Sequence, residues 1–197
     1  MLIAAANAAR QRGSMGTRLD AAANIATMVA CAAVIAAMMV RYWPRSQPDP
    51  MPYKTGSALP HIQGFDYNSS SRTLLVVVKT TCVHCTASIP VYRALVRARD
   101  VSRMPLRIVV VGFEDVGALR RYALLHDFRP DEIVSTSQHA LPILGTPVLV
   151  LADSNGRVIK TWLGEQNTEG GGPHEDLVAS LFGANMGEPV RAALRVR

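Results

Sequence analysis

Leu74-Leu75-Val76-Val77-Val78-Lys79-Thr80-Thr81-Cys82-Val83-His84-Cys85-Thr86 is the stretch that decides how this chain is read. Its apolar run, Leu74 to Val78, reads as a strand buried on both faces. Beyond the second cysteine, Ile89, Tyr92, Leu95 and Val96 recur at helical spacing. A buried strand therefore runs into a turn that carries two cysteines and opens a helix. A thiol at a helix N-terminus meets unpaired backbone N–H groups and the positive end of the helix dipole. Both favour the thiolate, so Cys82 is expected to ionise below the ordinary thiol range. Cys85 lies one helical turn further on, within disulfide reach. One sulfur can attack and the other can resolve, which is two-electron dithiol–disulfide chemistry.

The 197 residues suffice for one domain plus extra segments. The formal net charge of +6 comes mostly from scattered arginines. No basic run is interleaved with aromatics, so nucleic-acid binding is not read from it. Charged residues make up only 18% of the chain against 49% hydrophobic, and one N-terminal run explains part of that excess. Of the three cysteines, two form the C-x-x-C pair and Cys31 sits in the apolar run, so there is no disulfide scaffold and cysteine usage does not fix the compartment.

Residues 1–19 show no core pattern and contain Arg10, Arg12 and Arg18. Residues 20–41 are expected to form a transmembrane signal-anchor helix. Ala21 to Val40 holds no charged residue, and about 20 residues at about 1.5 Å each span the hydrocarbon core. Tyr42 and Trp43 follow like an interfacial belt. A cleaved signal peptide would need a shorter apolar core and a small-residue cleavage site, for which Met38 to Trp43 is poorly suited. Positive charge before the span exceeds that just after it, which places the N-terminus in the cytoplasm and the remainder outside. Residues 42–57, with Pro44, Pro48, Pro50 and Pro52, read as a stiff linker. Residues 58–183 read as the folded domain and residues 184–197 as a tail. Within the domain the expected order is β-α-β-α-β-β-α, an α/β architecture. Its strands fall at Leu74–Val78, Leu106–Val111, Pro147–Ala152 and Arg157–Trp162. Its helices fall at Val83–Arg99 with a kink at Pro90, Val116–His126 and Glu175–Phe182.

These elements resemble the thioredoxin-like superfamily, and more narrowly the membrane-anchored TlpA-like proteins of the bacterial envelope. The resemblance covers about residues 58 to 183. Cys82-Val83-His84-Cys85 sits at a strand-to-helix junction, Pro90 falls where that family kinks its first helix, and Gly145-Thr146-Pro147 falls where it has its cis-proline. Pro147 through Val158 reads like its late hairpin. The sequence also departs from the family. Thr81 stands where a Trp often precedes the first cysteine. Val76 stands where thioredoxin has a buried Asp, and Val83-His84 replaces the usual Gly-Pro between the cysteines.

The resemblance implies a thioredoxin-like fold, a central mixed β-sheet flanked by helices, after one transmembrane helix. It implies a thiol–disulfide oxidoreductase in which Cys82 attacks, Cys85 resolves, and Thr146 with cis-Pro147 presents backbone groups to an extended client strand. His84 and Thr81 are the expected tuners of the thiolate. Glu114 and Lys79 (with Asp115 beside them) are the candidates for accepting the proton of the second thiol. No metal and no cofactor beyond the Cys82–Cys85 disulfide is expected. The partners would be protein thiols and disulfides, with a membrane electron donor or acceptor. The localisation would be the cytoplasmic membrane with the domain on its periplasmic side. The redox direction stays open, because His84 favours an oxidant while TlpA-like relatives are usually reductants. Two other classes compete. Copper delivery would use both cysteines with His84, His126 or His139. A thioredoxin-like binding module or peroxidase is the other.

Overall fold

The structure is a computed structural model that describes residues 24–39, 41, 53–167 and 173–195. The chain divides into two compact units, residues 1–47 and 48–197. In the first, residues 24–39 and 41 are helical (α1) and all of them are exposed. Among the described residues no helix is long and apolar enough to cross a membrane. Residues 20–23 and 40 of the predicted span lie outside the described residues, as do residues 1–19, 42–52 and Gly170 to Gly172.

The second unit holds strand β1 (Arg72–Val77), helices α2 (Val83–Ala87) and α3 (Ile89–Ser102), strand β2 (Leu106–Gly112), helix α4 (Val116–Leu125), and strands β3 (Glu132–Ser135), β4 (Val148–Asp153) and β5 (Val158–Leu163). Helices α5 (Glu175–Phe182) and α6 (Glu188–Leu194) complete it. The sheet order is β3-β2-β1-β4-β5. β1 pairs parallel with β2, and β2 parallel with β3; β1 pairs antiparallel with β4, and β4 antiparallel with β5. The sheet is thus mixed, with β1 at its centre.

Alternation along the strands sends two sets of side chains to opposite faces. Leu74, Val76, Ile108, Val110, Leu149 and Leu151 pack with α3, α5 and α6 and with Leu119 and Tyr122 of α4. Leu75, Val77, Val109, Val111, Val148 and Val150 meet Tyr53, Leu59, Ile62, Phe65, Leu141 and Ile143. Burial on both faces is why β1 and β2 read as unbroken apolar runs. The covering of the second face differs from the expected flanking helices: Tyr53, Leu59, Ile62, Phe65, Leu141 and Ile143 all lie outside regular secondary structure. At Gly112 the sheet and α4 approach so closely that a Cβ would run into Leu119.

Several boundaries move. The last residues of the predicted linker belong to the folded unit: Tyr53 is buried and its carbonyl accepts from Thr161 Oγ1 at 2.9 Å, while the Gly56 N–H donates to the Val158 carbonyl at 2.7 Å. The predicted tail contains α6, whose Leu194 is buried in the same cluster as α3. β3 was not expected; its partner is the edge of β2, from Val109↔Glu132 to Gly112↔Ser135. The first helix breaks at Ser88, two residues before Pro90. Pro90 has no N–H to give and its ring would clash with the carbonyl four residues back, so a new helix starts there with Pro90 in its first turn. Arg72, at the start of β1, donates to the Ser180 and Leu181 carbonyls at the end of α5, satisfying last-turn carbonyls that no helical N–H reaches.

Candidate active site

The end of β1 carries the two cysteines to the edge of the first core. Cys82 is the N-cap of α2. Its sulfur takes the place that a Ser or Asp oxygen usually fills, accepting the Cys85 N–H at 3.4 Å. The helix-start position expected from the sequence is therefore the observed one, with the sulfur itself as the capping acceptor. Cys82 is half-buried, whereas Cys85 is fully buried in the core that α3 and α5 cover. Both are free thiols here.

The opposite wall is the turn before β4. The Thr146–Pro147 peptide is cis, and the Cys82 thiol donates to the Thr146 carbonyl at 3.3 Å. Pro147 is buried. This places the Cys82 sulfur against the backbone of an X-Pro turn, at one end of a mixed sheet whose central strand leads into the cysteine pair. The fold is thioredoxin-like.

The two thiols differ because their surroundings differ. Burial works against the Cys82 thiolate. Hydrogen bonds from the Thr146 side chain, the Cys85 thiol and N–H, and the His84 N–H outweigh it, and Cys82 ionises below the ordinary thiol value. Burial pushes Cys85 up to about 12, and a charge on Cys82 pushes in the same direction. At neutral pH Cys85 keeps its proton while Cys82 gives its own up more readily.

The remaining residues singled out in the sequence fall into three places. His84 is exposed on α2, and its Nδ1 lies 2.9 Å from Glu165 Oε2; this carboxylate raises the imidazole above its ordinary value. Thr81 is exposed, and the Cys82 sulfur's hydrogen bonds run to Thr146 and Cys85 instead. Glu114, just past β2, accepts the Thr80 N–H at 2.7 Å and the Thr80 hydroxyl at 3.0 Å through Oε1. It braces the turn that carries the cysteines. Its Oε2 is buried without a partner among the described residues. Lys79 is exposed and meets the site through its backbone: its carbonyl accepts the Cys82 N–H at 3.0 Å. His126 caps α4 and packs edge-on to Tyr122, His139 is exposed, and no three His, Cys, Asp or Glu side chains gather into a metal-binding group among the described residues.

The sequence reading missed the segment after β5. The Gly164 N–H donates to the Pro147 carbonyl at 2.9 Å, Glu165 meets His84, the Gln166 N–H donates to Ser88 Oγ at 3.0 Å, and Asn167 Nδ2 donates to the Ala87 carbonyl. Four consecutive residues thus join the Pro147 turn to α2. Only an acidic residue shortly after the last strand hinted at this in the sequence.

No protein-family model matches this sequence, and no curated protein matches it. Among solved structures, the chain is similar to the thioredoxin domain of a thiol-disulfide oxidoreductase from Bacteroides vulgatus. Identity is 16%, over 56% of this chain and 89% of that one, with a TM-score of 0.47. It is similar to a thiol:disulfide interchange protein from Bacteroides sp., with 16% identity over 55% of this chain and 81% of that one and a TM-score of 0.46. It is also similar to a cysteine-to-serine variant of peroxiredoxin Q from Xanthomonas campestris, with 18% identity over 60% of this chain and 82% of that one and a TM-score of 0.43. The fold assignment rests on the strand order and on the placing of the sulfur against the cis-proline turn.

Proposed function

We propose that this protein is a thiol–disulfide oxidoreductase that exchanges disulfides with protein clients through Cys82 and Cys85. The observation that carries this reading is the position of the Cys82 sulfur. It is accessible, held at a helix start and set on the carbonyl before cis-Pro147, with the buried Cys85 directly behind it.

In the reducing direction the Cys82 thiolate attacks one sulfur of a client disulfide. A Cys82–client bond forms and the other client sulfur leaves as a thiolate. Cys85 then loses its proton and attacks the Cys82 sulfur. The Cys82–Cys85 bond forms, and the first client sulfur leaves. The client takes up two electrons from the enzyme pair, and its two thiolates take up two protons, the one lost by Cys85 and one from solvent. The charge on Cys82 that held the Cys85 proton is gone once Cys82 is bonded to the client, which eases the second step. The same steps run backwards oxidise a client dithiol, and the redox poise of the partner sets the direction. Thr146 and Pro147 would receive the client backbone, as in strand addition to an exposed edge. The sulfur pair is the only redox group the chemistry requires.

The same proposal anchors the protein in the cytoplasmic membrane with this domain outside. Ile25, Met28, Val29, Val34, Ile35, Met38 and Met39 of α1 are all exposed, and the positive residues Arg10, Arg12 and Arg18 precede it. Outside the cytoplasm, client disulfides persist, and a membrane electron donor or acceptor would recharge the pair.

Two assays test the chemistry. The purified protein is expected to reduce insulin with dithiothreitol as donor, or to oxidise a dithiol peptide from its disulfide form; failure in both directions removes the reading. Alkylation of Cys82 by iodoacetamide, followed by peptide mass spectrometry to separate it from Cys31 and Cys85, should accelerate with pH. Its midpoint should lie below the ordinary thiol value of 9.0, because only the thiolate reacts and its hydrogen bonds favour it. A midpoint at or above that value would contradict the site description.

A further inference from the structure

We propose that Glu165 is a positioning residue for disulfide exchange: its carboxylate fixes the His84 imidazole beside Cys82 and so sets how readily the reduced pair gives up its electrons. The inference rests on the thiol–disulfide reading above and adds a residue outside the Cys-Val-His-Cys turn.

His84 is two residues from the attacking sulfur and one before the resolving one. A surface imidazole on a long χ2 would ordinarily swing freely. Here Nδ1 is held at 2.9 Å by Glu165 Oε2. Glu165 is itself not a free surface carboxylate. The residue before it is bonded to the Pro147 carbonyl, and the two after it are bonded to Ser88 and to the Ala87 carbonyl. Ser88 is fully buried, and its hydroxyl donates onward to the His84 carbonyl at 2.8 Å. The carboxylate is thus presented to His84 by a backbone pinned on both walls of the site.

The charged groups that face His84 are the Glu165 carboxylate, from the segment after β5, and Cys82, from the N-cap of α2. The carboxylate favours the imidazolium, and the imidazolium favours the Cys82 thiolate. Linkage makes the effect reciprocal: a thiolate on Cys82 raises the proton affinity of His84, and a disulfide there does not. Reduction of the pair therefore draws a proton onto His84. A stabilised thiolate stabilises the reduced form, so the pair is a stronger oxidant with His84 protonated than it would be with the imidazole held neutral at the same pH. A thiolate on Cys82 favours the protonated imidazole, so by the same coupling the imidazolium favours that thiolate, and the Glu165 carboxylate holds the imidazole in its protonated form.

Glu165→Gln tests this in the full-length protein, with Glu165→Asp as the conservative control and His84→Gln to close a double-mutant cycle. Three readings are taken: the His84 ring titration by NMR in reduced and oxidised protein, the Cys82 thiolate absorbance against pH, and the equilibrium constant against glutathione. In Glu165→Gln the His84 midpoint should fall and the Cys82 midpoint should rise. At pH 7 the equilibrium should shift toward the disulfide by roughly two- to fivefold, the scale of an exposed ion pair. Glu165→Asp should recover part of each shift, and in the His84→Gln background Glu165→Gln should change nothing further. The proposal is overturned if the His84 midpoint does not move. It is equally overturned if that midpoint moves while the Cys82 midpoint and the equilibrium stay put or move the other way. A wild-type protein that exchanges no disulfide would instead overturn the thiol–disulfide reading itself.

Discussion

Cys82→Ser should abolish disulfide exchange in both directions, by roughly a thousandfold or more, while leaving the fold intact. The serine hydroxyl can still cap α2, accepting the Cys85 N–H as the sulfur does at 3.4 Å. It cannot form the covalent bond on which every later step depends, and its oxygen does not ionise near neutral pH. Insulin reduction followed by turbidity, alongside circular dichroism, separates the two effects. Retained activity with Cys82 absent would move the chemistry to another sulfur.

Cys85→Ser has the second-largest expected effect, and of a different kind. Cys82 remains a competent nucleophile, so the first bond forms at a rate near that of the wild type. Release then fails, because no second thiolate stands behind Cys82. Covalent client–Cys82 adducts should accumulate to near-stoichiometric levels, reversible by dithiothreitol and visible on a non-reducing gel. Cys85 is fully buried, so the lost thiol leaves a hydroxyl in an apolar cluster. A modest loss of stability should accompany the substitution, about 1–3 kcal/mol if the hydroxyl finds no partner. A variant that turns over clients normally would show that Cys85 does not resolve the adduct.

The parts of the fold that could be read from the sequence share a physical trait: each carries its own local signal. β1 and β2 are unbroken apolar runs because both their faces are buried. The β4–β5 hairpin announces itself through Asp153-Ser154-Asn155-Gly156, where Gly156 takes a positive φ of 70° and the Asp153 carboxylate accepts the Asn155 and Arg157 N–H groups. β3 has four residues, only Val134 of them buried; it opens on the charged Glu132 and follows Asp131. Its strand character comes from the exposed edge of β2, a partner that no short window contains. The irregular cover of the second sheet face is hidden for the same reason. Tyr53 is buried against strands far along the chain, and the prolines before it suggested a linker instead. α6 is short, has Arg191 in its last turn, and packs through Leu194 into the core that α3 shares.

At the site, the sulfur pair and the proline turn were legible because their chemistry is tied to residue type. A cysteine at a strand-to-helix junction and a proline opening a strand each have few alternatives. Glu165 was not legible, since its contact with His84 crosses from the end of β5 to α2 and a surface glutamate has no pattern of its own. Glu114 shows a role that the sequence did not signal: a carboxylate at the end of β2 suggested a proton acceptor, and in the fold its Oε1 also holds Thr80 and shapes the turn.

The most direct test of the central claim is to equilibrate the protein across a series of glutathione or dithiothreitol redox buffers, quench with acid, and determine the state of each cysteine by mass. The expected result is one reversible two-electron transition in which a Cys82–Cys85 disulfide forms within a single chain. If no buffer produces that intramolecular bond, or if Cys82 and Cys85 oxidise independently, the two sulfurs are not a redox couple and the account fails.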